Sequence, residues 1–233
     1  MSRQIKGLLY FFIMDLRYSM IVFWTILLSI LFFFMILYYY VIGVENSEFS
    51  FGLPFAAYVY CGVLGFLAVK ENIPFSLKMG ATRKNFFLAN GLFFLGISLF
   101  FAIAASIIQS VVTFLFSDTS MQSFQFLHLA ILLEDTWLNR VIIDSTIMFL
   151  VLSIMFIAGL LFYKYGQAGG GIAGGLLILF LLFGVAQGWL TDFIIELFTS
   201  IDILFFYQLL LIGLVIYAAS FFFLRDISIV KKK

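Results

Sequence analysis

Threaded back and forth through a bilayer, six long apolar stretches put twelve of this chain's thirteen Lys and Arg residues on one side. A helical span needs about 20 apolar residues to cross roughly 30 Å of hydrocarbon. The windows 19–42, 53–69, 86–109, 141–163, 168–190 and 203–224 supply such spans. The shared side holds Arg3, Lys6 and Arg17; Lys70, Lys78, Arg83 and Lys84; Lys164; and Arg225 with Lys231, Lys232 and Lys233. Only Arg140 falls opposite. Cationic loops stay on the cytoplasmic face during insertion, so this distribution fixes an orientation. The expectation is an all-α integral membrane protein in the cell membrane. It has one transmembrane domain over residues 1–233, and both termini are cytoplasmic.

Composition agrees with lipid as the solvent. Hydrophobic residues make up 64% of the chain and charged residues 11%, where a soluble domain carries about 25% charged. The single cysteine, Cys61, excludes an internal disulfide and reads as a small packing residue. The N-terminus is unlike a cleaved signal, because the strong apolar run from Met20 exceeds an h-region of roughly 7–15 residues.

Between the spans the segments differ in character. Residues 1–18 mix Leu8, Leu9, Phe11, Phe12, Ile13, Met14 and Leu16 with Arg3, Gln4, Lys6 and Asp15. That mixture predicts an amphipathic helix lying in the cytoplasmic interface, the alternative being a segment that lengthens the first span inward. The apolar run of the third window continues to Phe116, so the helix either projects beyond the membrane or breaks near Gln109–Ser110. The outer segment 117–140 is rich in Phe and Leu and predicts a short interfacial helix or a shallow re-entrant element. Outer loops are acidic, with Glu45, Glu48, Asp118, Glu134, Asp135, Asp192, Glu196 and Asp202.

Chemistry is sparse. There is no H-E-x-x-H, no P-loop and no Ser/His pair in facing spans, so no catalytic residue, metal site or cofactor is expected. The only histidine, His128, reads as an interfacial polar residue. Asp144 sits four residues after Arg140, the spacing of an ion pair on one helix face. Asn90, Ser106, Gln109, Ser145, Thr146, Gln187 and Gln208 suit interhelical hydrogen bonds. Gly170 and Gly174, Gly171 and Gly175, and Gly184 and Gly188 are each four apart, as in closely packed helices of one bundle or of a dimer.

The segment 70–85 stands out. Pro74 suits the first turn of a short helix and Gly80 its C-terminal break. Phe75, Leu77 and Met79 are apolar beside Lys78, Arg83 and Lys84, which is the composition of a docking surface for a soluble partner. From Phe75 to Leu88 the chain reads Phe-Ser-Leu-Lys-Met-Gly-Ala-Thr-Arg-Lys-Asn-Phe-Phe-Leu. This tract resembles the first cytoplasmic loop of type-2 ATP-binding-cassette (ABC) exporter permeases. Those permeases read apolar-x-x-x-Gly-[apolar]-[Ser/Thr]-Arg-[basic]-x-[aromatic] ahead of the third span.

The resemblance implies a coupling helix seated in a groove of a separate ATPase (nucleotide-binding) subunit. Phe75, Ser76, Leu77, Lys78, Met79, Gly80, Ala81, Thr82 and Arg83 form the implied contact segment. It also implies a second permease copy or a paralogue, the lipid bilayer as surroundings, and no nucleic-acid partner. Two rivals share the topology: an ion-coupled secondary transporter, which needs an essential embedded charge such as Asp144, and a non-transporting scaffold or sensor.

Overall fold

The computed structural model describes residues 3–41, 49–116, 124–199, 201–225 and 227. Glu45, Glu48, Asp118 and the three closing lysines lie outside the described residues. The helices are α1 (Arg3–Val41), α2 (Leu53–Lys70), α3 (Asn72–Lys78), α4 (Arg83–Phe116), α5 (Trp137–Ala186), α6 (Trp189–Thr199) and α7 (Ile203–Arg225). Helices satisfy every backbone donor and acceptor internally, which a hydrocarbon solvent requires. Among the described residues five helical runs are long and apolar enough to cross a membrane: α1, α2 with α3, α4, α5 and α7.

α1 departs from expectation. The predicted interfacial helix does not end near residue 18; it continues into the first span as one helix of 39 residues. At about 1.5 Å per residue that is about 58 Å, close to twice the hydrocarbon thickness. Two features keep it whole. No glycine or proline interrupts residues 8–41. The stripe Ile5, Leu8, Phe12 and Leu16 is buried in the main core, while Asp15 and Arg17 are exposed. α4 likewise runs unbroken through Gln109 and Ser110 to Phe116, so the projecting form of the third span is the one observed.

α5 covers 50 residues but is bent at Gly166 (φ 71°, ψ −173°), a backbone region essentially restricted to glycine. The bend falls between the fourth and fifth apolar windows (141–163 and 168–190) and divides α5 into a first limb (137–165) and a second limb (167–186). The first limb is the hub of the bundle. Its Ile143, Met148, Phe149, Leu152, Phe156 and Leu160 are fully buried, and α2, α4 and α7 pack around it while α1 lies on α4.

Because lipid tails are as apolar as Leu, helices associate through close packing rather than by leaving water. α2 buries Ala57, Cys61 and Gly65 at four-residue intervals, so Cys61 has the packing place expected of it. A Cβ on Gly65 would lie 2.6 Å from the Leu152 carbonyl oxygen, and one on Gly159 would lie 2.9 Å from that of Phe66. These glycines carry the close approach within the chain. The predicted set does not: around a Cβ at Gly171, Gly174, Gly175 or Gly188 there is nothing within 4 Å. Gly170 is crowded by Phe162, across the bend, and Gly184 by Trp189 of α6. Apart from the buried Gly170 and Gly184, the second limb is largely exposed, with Ile172, Leu176, Leu179 and Phe183 all open.

Between residues 124 and 136 the segment before α5 forms a short strand and one 3-10 turn in place of the expected interfacial α-helix. Phe124–Phe126 (β2) pairs in parallel with Phe49–Phe51 (β1), in the register Phe49↔Phe124 and Phe51↔Phe126. A single 3-10 turn, Leu129–Leu132, follows. The Phe-Gln-Phe alternation buries both phenylalanines and exposes Gln125, the period of a half-buried strand. Its partner is a loop 75 residues earlier.

Candidate functional site

At one end of the bundle α3 and α4 form a corner whose local geometry is dictated by three residues. Gly80 (φ 78°) ends α3 in the left-handed region. Its amide donates to Leu77 O (3.1 Å) while that of Ala81 donates to Ser76 O (3.0 Å), the paired bonds of a Schellman cap. Thr82 then accepts from the Asn85 amide through Oγ1 (3.2 Å), which caps α4. Arg83 donates through Nη2 to the Ile227 carbonyl at 2.7 Å, tying the tail after α7 to this corner.

The N-terminus is fastened here too. Gln4 donates to Gly80 O at 2.9 Å and accepts from Asn85 Nδ2, and Phe11 stacks on Phe75 with ring centroids 4.0 Å apart. Of the nine residues of the implied contact segment, Ser76 and Ala81 are buried and Leu77 is half-buried. Phe75, Lys78, Met79, Gly80, Thr82 and Arg83 are exposed, Met79 at 72%. The corner therefore presents Met79 and the edge of Phe75 among Lys78 and Lys84, on a platform held by both ends of the chain.

The opposite end holds a constellation that sequence reasoning missed. Asp144 is fully buried on the first limb of α5. Its Oδ1 accepts from the Tyr58 hydroxyl of α2 at 2.5 Å, and its Oδ2 faces His128 Nε2 at 3.0 Å. His128 immediately precedes the 3-10 turn, and its Nδ1 accepts from the Ala130 amide at 2.8 Å. A backbone amide can only donate, so Nδ1 is the unprotonated nitrogen and Nε2 carries the hydrogen given to Asp144. The network thus assigns a neutral histidine and a carboxylate held by two donors.

The expected Arg140–Asp144 pair is absent. Arg140 instead grips Asp135 with two bonds, Nε to Oδ1 at 2.5 Å and Nη2 to Oδ2 at 2.6 Å. The hydrogen bond from Arg140 holds the Asp135 carboxyl below the usual carboxylate range. Asp144 faces inward, where Tyr58 and His128 already engage both of its oxygens. Asp135 meets Arg140 at the half-exposed rim. His128 is correspondingly no interfacial polar group; it is 3% exposed. One signal did exist. A carboxylate inside an apolar span demands donors, and Tyr58 lies close to the outer end of its own span.

Deeper in the bundle, Tyr217 of α7 donates to Phe87 O (2.7 Å) and accepts from Asn90 Nδ2 (3.3 Å), an α4–α7 bridge of the kind expected for Asn90. Between the outer halves of α1 and α4 lies an open cavity of about 450 Å³. Leu28, Leu31, Phe32, Met35, Ile107 and Val111 are among its apolar lining. Comparison with protein-family models, with curated proteins and with solved structures finds no match to this chain. The class rests on the fold itself, a helical protein with the long apolar helices of a multi-pass membrane protein.

Proposed function

We propose that this chain is the permease subunit of an ABC transporter, an exporter. In this reading it crosses a cytoplasmic membrane six times, the two limbs of α5 counting as separate crossings, with both termini in the cytoplasm. The observation that carries the proposal is the α3–α4 corner. A seven-residue helix braced by Gln4, Phe11 and the tail after α7 leaves Phe75 and Met79 open to solvent beside Lys78 and Lys84. Met79 and the exposed part of Phe75 are apolar surface on a rigid element, which is what a soluble ATPase subunit needs in order to push or pull on the bundle. The sequence tract Phe75–Leu88 and its likeness to coupling loops support the same reading. A second permease copy or a paralogue completes the pathway, and the second limb of α5, largely exposed, offers it a surface.

The test uses the full chain co-expressed with the P-loop ATPase encoded next to it. Met79→Asp places a charge at the most exposed apolar position of the corner without touching its packing. The expected result is at least about a tenfold loss of co-purified ATPase at unchanged permease yield. Undiminished co-purification, or a gene neighbourhood with no such ATPase, overturns the reading.

A second reading rests on Asp144. An embedded carboxylate with a proton-bearing partner is the equipment of an ion-coupled carrier. Transport by the purified chain in vesicles, driven by a pH gradient without nucleotide and lost in Asp144→Asn, would favour it.

A further inference from the structure

We infer that Tyr58, Asp144 and His128 form a proton-binding site, and that loading it releases the 3-10 turn sealing the outer end of the bundle. The inference does not depend on an ATPase docking at the other end.

The hydrogen count carries it. As assigned, the Tyr58 hydroxyl and His128 Nε2 each give one hydrogen to Asp144, and His128 Nδ1 takes the Ala130 N–H. Every hydrogen in the cluster has an acceptor, and the cluster bears one buried negative charge with no cation in contact. A proton entering from the outer side neutralises that charge. It has two places to go.

If the proton adds to Nδ1, or adds to Asp144 Oδ2 while the histidine changes tautomer, an N–H then points at the Ala130 N–H. That contact cannot be a hydrogen bond, and the turn must move. If it adds to Asp144 Oδ1, the Tyr58 hydroxyl loses its acceptor inside the bundle. Either way a contact made in the closed form is broken by one proton.

The groups around His128 point the same way. α5 contributes Asp144, and α2 contributes Tyr58 with Cys61 beyond it. The loop before α5 contributes Asp135, neutralised by Arg140, and the exposed Glu134. α7 packs against the turn through the apolar Phe205, Phe206 and Leu209. No described neighbour supplies a positive charge that would repel the incoming proton from within contact.

The mechanical consequence follows from what Ala130 holds. It is fully buried against Ile143 of α5 and Phe206 of α7. The adjoining β2 strand is paired to β1, directly before α2. Releasing the Ala130 amide therefore loosens a cap seated on α2, α5 and α7 together. Histidine changes charge between about pH 5 and 8, the range a membrane protein meets at its outer face.

The chain has one histidine, so ring ¹⁵N labelling gives an unambiguous signal in the full-length protein in lipid nanodiscs. At about pH 8 one ring nitrogen, Nε2, should be protonated. At about pH 5 Nδ1 should be protonated, with Nε2 protonated too if the proton sits on the ring and bare if it sits on Asp144, and the hydrogen-exchange protection factors of residues 129–133, corrected for intrinsic rates, should fall at least about tenfold.

His128→Asn keeps an acceptor for the Ala130 amide but removes the proton site, so protection should become independent of pH. Asp144→Asn removes the charge that draws the proton, and the response should move to more acid pH. Three results each overturn the inference: a doubly protonated ring at pH 8 with the turn protected, protection unchanged across the range in the natural chain, or pH-dependent loosening that persists in His128→Asn.

Discussion

The two ends of this bundle use polar and apolar groups in opposite ways. At the end where α5 begins, three polar side chains, Tyr58, His128 and Asp144, are sunk in the bundle and satisfy one another. At the α3–α4 corner Phe75 and Met79 are left in the open while the backbone is fixed by caps. A buried polar cluster is costly to disturb because each member, once orphaned, has no water to turn to. An exposed apolar residue can be changed at little cost to the fold, which is what leaves it free to serve a partner. Where the structure is least forgiving and where it is most available are therefore separated along the helix axes.

The contrast can be broken first at Asp144. Asp144→Leu strands the Tyr58 hydroxyl and the His128 N–H together, and a loss of about 3–5 kcal/mol is expected in denaturant unfolding of the purified protein. Adding Tyr58→Phe should recover part of it, since removing both partners of a buried bond is far cheaper than removing one. A loss no larger than that of an exposed-site substitution would mean the outer cluster is solvated and the contrast false.

The corner predicts a smaller effect of a different kind. Gly80 sits at φ 78° with nothing within 4 Å of a Cβ, so Gly80→Ala should cost only the left-handed backbone penalty, about 1–2 kcal/mol. Met79→Asp should cost nothing measurable in the same unfolding experiment while releasing the ATPase, which separates docking from folding.

The smallest effect belongs to Asp135. Its carboxyl titrates below the usual range in the folded protein, so its contribution is present at neutral pH and disappears as pH falls through that lowered value. The pair is half-exposed, and Asp135→Asn should cost under about 1 kcal/mol and flatten the acid limb of the stability profile. A flat limb in the natural chain would show the Arg140 grip to be energetically empty.

Much of the helical architecture was legible residue by residue. The apolar windows mark the long helices, Pro74 and Gly80 bound a short helix between them, and Gly166 falls in the gap between the fourth and fifth windows. The errors share a cause. Residues 1–18 mix charge into an apolar run, yet a helix is indifferent to charge on its outward face, and α1 runs on through Asp15 and Arg17. Gly171, Gly174 and Gly175 meet no neighbour within this chain, so of the two packing expectations only the one within the bundle is set aside for them. Gly65 and Gly159, which lack a four-residue partner glycine, meet the backbone of the facing helix. The i, i+4 rule offered Arg140 to Asp144, but it describes an isolated helix in water and not a side chain turned into a bundle.

Composition and hydropathy by themselves determined that this chain folds as long apolar helices, because continuous apolar runs of about 20 residues satisfy their backbone hydrogen bonds out of water as helices, whereas barrel strands are half that length and alternate. The α3–α4 corner was equally local, since caps and a left-handed glycine act over a few residues. Only the tertiary structure decided that Tyr58, His128 and Asp144 meet, that Arg140 turns to Asp135, and that β1 finds β2. Those contacts join residues 5 to 86 positions apart, and which of them form is settled by the way α2, α5 and the outer turn pack, a property no single segment carries.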